Sequence, residues 1–159
     1  MPEANIHDHV RNPARQRRRR RIGDRTMMNP LNRRIIDDWH RVALSGDCTA
    51  LDVMIHDDAV FESPVVHTPQ RGKAITIKYL TAAVATLKNP SSEFFGEWSG
   101  DKSVIVEFKS EIEGIAINGI DMIGFDETGL ITHFKVMIRP LKAVNLIHRK
   151  MGEMLASLQ

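Results

Sequence analysis

From Ile115 to Ile138 the chain carries two strand-like runs folded about one turn, and the first of them holds a single carboxylate. The runs are Ile115–Phe125 and Leu130–Ile138, and the turn is Asp126-Glu127-Thr128-Gly129. Side chains alternate along a strand, so Asp121 shares a face with Ile117, Gly119, Ile123 and Phe125. On the second run, Phe134, Val136 and Ile138 are expected to line the same interior. A bare charge is costly in such surroundings. Asp121 must therefore find a partner or hold its proton, and its apolar neighbours are expected to raise its pKa. This makes Asp121 the first candidate for chemistry. The alternative is a buried Asp that serves only a structural network.

The residues before this hairpin set its surroundings. Leu31, Ile35, Trp39 and Val42 recur at helical spacing and predict an amphipathic helix over 31–45, with Gly46 at its end. A short helix is expected over Thr49–His56, then a strand over Ala59–Ser63 stopped by Pro64. On that strand Phe61 and Ser63 are expected to share a face. Gly72–Lys88 predicts a third helix with two apolar stripes, so it is buried on more than one side. After Asn89-Pro90 the period changes to two. Ser92–Trp98 and Val104–Ile112 read as strands, the second with one core face and one wetter face. Pro140 suits the first turn of a closing helix with Leu141, Val144, Ile147, Met151, Leu155 and Leu158 on its apolar stripe. Helices followed by a run of strands predict an α+β fold: a curved antiparallel sheet wrapped around the long third helix, leaving a concave apolar pocket.

Composition narrows the function. With 159 residues and 42% hydrophobic content, one domain with a real core is expected. No apolar run approaches the roughly 20 residues of a membrane span. One cysteine, Cys48, excludes an internal disulfide and a cysteine-based zinc site. No secretory signal is visible, so a cytoplasmic protein is the simplest expectation. Residues 1–26 carry eight Arg against three acids, a net of +5, and the total of +2 leaves −3 for residues 27–159. Residues 1–28 are thus read as a disordered Arg-rich tail, and 29–159 as the folded domain. Nucleic acid is a partner only if that tail is functional, and it lacks interleaved aromatics for base stacking.

From Trp39 to about Met151 the chain resembles the nuclear-transport-factor-2-like superfamily, in particular its SnoaL-like and steroid delta-isomerase members. The matching pieces are Ser45-Gly46-Asp47, His56-Asp57-Asp58-Ala59-Val60-Phe61-Glu62-Ser63-Pro64, Arg71-Gly72-Lys73, Gly119-Ile120-Asp121 and Phe125 to Ile131. The resemblance implies the cone-shaped, cystatin-like form of the α+β fold and a homodimer paired through the outer sheet face. It also implies three isomerase positions. The general-base position, just before the strand-ending proline, is Ser63. The position of a Tyr oxyanion donor is Trp39, whose indole N–H donates but does not usefully transfer a proton. The third, a protonated Asp that donates to the oxyanion, is Asp121.

Two functions from different classes follow. One is a cofactor-free, SnoaL-like enzyme of isomerase, cyclase or hydrolase type, acting on a hydrophobic carbonyl-type molecule through Asp121. The other is a noncatalytic module that binds a small hydrophobic ligand. Around Asp121 the expected ligand contacts are Trp39, Phe61, Ser63 and His67, with Tyr79 as a hydroxyl from the long helix. Phe125, Phe134, Val136 and Ile138 supply apolar wall. His133 alternates with Phe134 and is expected to face away from the pocket. His40, His56 and His148 are read as helix-surface residues. No metal site and no cofactor are expected.

Overall fold

The computed structural model describes residues 28–158. The Arg-rich segment and its readings lie outside these described residues. Helix α1 spans Pro30–Ser45. The Asn29 side chain accepts from the Leu31 N–H at 2.8 Å, and Pro30 opens the first turn. Gly46, at φ 80°, closes the helix with its N–H on the Val42 carbonyl, a left-handed end that favours glycine. Ile35, Ile36, Trp39 and Val42 are buried along one face.

The next segment departs from the sequence expectation. Helix α2 is a single turn, Leu51–Met54, and strand β1 begins at once and runs Ile55–Glu62. Ile55, Ala59 and Phe61 are each at most 1% exposed, and this burial outweighs the helical propensity of the stretch. Ser63 lies beyond the strand. Its Oγ accepts from the Val65 and Val66 N–H groups in the turn that Pro64 forces. Strand β2, Gln70–Arg71, was not foreseen; at two residues it is too short to show a period.

Helix α3, Lys73–Leu87, has Leu80, Ala82 and Val84 buried and packs against β1 and the last helix. Strands β3 (Glu93–Ser99), β4 (Ser103–Ile112), β5 (Ile115–Phe125) and β6 (Ile131–Arg139) form an antiparallel meander. The six strands make one curved sheet in the order β2-β1-β6-β5-β4-β3. All neighbours are antiparallel except β1 and β6. That parallel pair is a detail the sequence did not disclose, because the strands lie far apart in the chain and are joined through α3 and the meander. Helix α4, Leu141–Ser157, closes the layer with Ala143, Leu146, Ile147 and Met151. Leu141 is 74% exposed, so the buried stripe starts two residues later than expected. Among the described residues no helix is long and apolar enough to cross a membrane, and no cluster of three or more His, Cys, Asp or Glu forms a metal site.

One glycine positions the interior. Gly119 on β5 pairs with Phe108 on β4, and the Phe108 ring lies across it. A Cβ at Gly119 would sit 2.4 Å from Phe108 Cζ and 2.9 Å from the Met137 carbonyl oxygen. Gly119→Ala is therefore expected to lower stability by about 1–3 kcal/mol through overpacking. Chemical denaturation checks this, and an unchanged midpoint would show that the ring has room to move.

Candidate functional site

Asp121 lies mid-β5, opposite Val106 on β4 and Val136 on β6, with its side chain on the concave face. It is 4% exposed. Across the interior, Trp39 of α1 donates its indole N–H to Asp121 Oδ2 at 2.8 Å. This is the carboxyl's one hydrogen-bond partner among the described residues. Burial pushes the Asp121 pKa up to about 7, and the Trp39 hydrogen bond offsets part of that rise.

The geometry assigns the proton. An indole N–H only donates, so Oδ2 is occupied as an acceptor in either charge state. The neutral acid then carries its O–H on Oδ1. The ionised form presents Oδ1 as a bare acceptor.

Asp121 and Trp39 form the floor of a cavity. Phe134, fully buried, and Val136 continue the wall from β6. The Phe134 ring stands edge-on to Trp39 with centroids 4.8 Å apart. Phe94 and Phe108, paired across β3 and β4, and Leu80 and Val84 of α3 complete it. The cavity is open to solvent and measures about 60 Å³. The hydroxyls in its wall are already engaged. Ser92 and Ser110 both donate to the Leu87 carbonyl, and Ser110 accepts from Asn89. Asp121 is thus the wall's buried polar group with capacity left for a ligand.

Of the residues singled out in the sequence, the structure brings Asp121, Trp39, Phe134 and Val136 together around this cavity. Phe61 and Tyr79 stand one layer back: Phe61 packs between Phe134, 6.3 Å away, and Tyr79, 5.3 Å away. Phe125 is core, and half-buried Ile138 sits opposite Gly119 beyond the cavity wall. Ser63 is spent on its turn and His67 is exposed on the following loop, so neither lines the cavity. His133 faces outward onto Glu62, as expected from alternation. His40 departs from expectation: it is half-buried and stacks on Phe94 at 4.1 Å. His56 is on β1 rather than a helix. Phe94 itself was missed, because the register shift between Phe94 and Gly96 breaks the alternation that would have placed it inward.

No family model matches the sequence. No curated protein matches it either. Solved structures do. A steroid delta-isomerase from Pseudomonas aeruginosa is 28% identical and superimposes with a TM-score of 0.77, covering 83% of this chain and 96% of its own. The chain has the fold of the nuclear-transport-factor-2-like proteins. Two further solved structures share this fold. An uncharacterised bacterial protein with a cystatin-like fold from Silicibacter pomeroyi is 22% identical, at a TM-score of 0.69 over 75% of this chain and 83% of that one. The epoxide hydrolase/cyclase-like enzyme SalBIII of salinomycin pyran-ring formation is 21% identical, at 0.56 over 68% and 90%. These two likenesses speak for the fold alone.

Proposed function

We propose that this chain is a cofactor-free acid–base enzyme for a small, mostly apolar molecule bearing a carbonyl-type oxygen, with Asp121 as the group that moves the proton. The observation that carries this is one carboxyl, buried in an apolar cavity, whose pKa of about 7 leaves both charge states populated at neutral pH. A catalytic acid or base works best when its pKa lies near the working pH. Ionised Oδ1 takes a proton from a carbon beside the substrate carbonyl, and the protonated acid returns it at a second position. Trp39 fixes the carboxyl orientation through Oδ2 throughout.

The 28%-identical neighbour is a steroid delta-isomerase, and an isomerase-type proton shift fits that likeness. At the isomerase general-base position this chain has Ser63, whose Oγ is held by two backbone N–H groups of its turn. That observation favours the second reading, a binding module of the same fold. It also means that any proton transfer here passes through one carboxyl rather than two.

The test is a panel of cyclic ketones, enones, epoxides and polyketide-like carbonyl compounds, incubated with the protein and followed by product analysis. The enzyme reading expects conversion of at least one bound compound, with a rate that depends on pH through about 7. Tight binding with every ligand recovered unchanged would favour the binding module.

A further inference from the structure

We propose that the cavity binds its ligand end-on and that Lys88 recognises an anionic group at the ligand's outer end. This deepens the acid–base reading and rests on it for the inner end only. The ligand class is then an apolar molecule with an oxygen at one end and a carboxylate or similar anion at the other.

The size of the cavity and the burial of its inner polar group set the direction. A closed apolar cavity that takes benzene measures about 150 Å³. The cavity here is smaller, about 60 Å³, and open to solvent; its inner polar group, Asp121, is 4% exposed, so a slim ligand head enters and the rest lies toward the opening. At the opening stand Leu44, 48% exposed, and Lys88, both in the cavity lining. Of the other ionisable residues of the lining, Asp121 is buried at the inner end, and Glu93 and Lys109 satisfy each other at 2.9 Å. Lys88 has no carboxylate partner among the described residues.

Its stem is nevertheless placed. The Lys88 side chain runs across Gly46 at the end of α1, where a Cβ would meet Cδ at 3.0 Å and Cε at 3.2 Å. An ammonium carried there sits beside an apolar lip, which is the arrangement an amphiphilic anion needs. A purely structural role is the competing account, since a cation also complements the carbonyl end of a helix.

Titration calorimetry of the full chain with octanoate and with octanol separates the two. The probes share one skeleton and differ in the anion. About pH 6 keeps Asp121 mostly neutral and the carboxylate ionised. The wild type is expected to bind the carboxylate about three- to fivefold more tightly than the alcohol, the size of an exposed ion pair. Lys88→Met keeps the stem and is expected to abolish that preference while leaving the alcohol's affinity unchanged. Lys88→Arg is expected to retain it. Equal affinities in the wild type, a preference that survives in Lys88→Met, or no binding of either probe would each overturn the proposal. A Lys88→Met variant that is less stable but keeps the preference would assign Lys88 to the helix end. These outcomes are read without turnover, so they stand apart from success or failure of catalysis by Asp121.

Discussion

Asp121→Asn is expected to reduce turnover by about 10²–10⁴-fold on any substrate the protein converts, the contribution typical of a positioned general acid or base. Asparagine keeps the size of the side chain. Its carbonyl oxygen still accepts the Trp39 N–H that now binds Oδ2 at 2.8 Å. What it loses is the ability to hold or release a proton. Ligand affinity is therefore expected to change far less than the rate constant. The fold should persist, because the carboxyl makes no ion pair that the amide would break. The measurement is product formation by wild type and variant side by side, with near-ultraviolet circular dichroism as the check on folding. A variant with full turnover would remove Asp121 from the chemistry.

The second large effect is on stability. The folded-state pKa of Asp121 is about 7, against an ordinary 3.8. Between these values the unfolded chain has released the proton while the folded chain retains it. Raising the pH through this window therefore favours unfolding, and the loss is complete once the pH passes about 7. Below 3.8 both states are protonated and the group contributes nothing. The gap corresponds to about 4 kcal/mol.

Other carboxyls act in the opposite sense. Glu113 beside Lys150 and Arg149, and Asp126 in its Thr128 turn, are held below their ordinary values. They add stability that is lost only in acid. The difference between wild type and Asp121→Asn cancels these shared terms. Denaturation at pH 4.5 and pH 8 is expected to show the variant gaining on the wild type by about 3 kcal/mol at the higher pH. Parallel curves would contradict a buried carboxyl that titrates late.

Much of this was legible in the sequence because it is carried by local pattern. The alternation of β4 and β5 is regular, so Ile115–Phe125 and the inward face of Asp121 follow directly. Trp39 lies on the buried stripe of α1 by its 3.6-residue period. Their meeting is not local: 82 positions separate Trp39 from Asp121, and only the sheet's curvature brings α1 over the middle of β5. The parallel β1–β6 pair was out of reach for the same reason.

Ser63 shows a different limit. Its position in a matching motif implied a place at the site, but Pro64 ends the strand one residue early and turns the hydroxyl to local backbone groups. Phe94 and His40 form a stacked pair that needs both the β3 irregularity and the α1 orientation, and neither is written in periodicity. The engaged state of Ser92 and Ser110 depends on Leu87 ending α3 beside β4.

The most direct measurement is the titration of the Asp121 carboxyl carbon by nuclear magnetic resonance, with aspartate labelled at Cγ and the signal assigned by its loss in Asp121→Asn. A midpoint near 7 is predicted, with the neutral acid dominant at pH 6. A midpoint near the ordinary 3.8 would mean that the carboxylate is stabilised in its charged form. In that case Asp121 is ionised at every working pH and is not the proton carrier of this site.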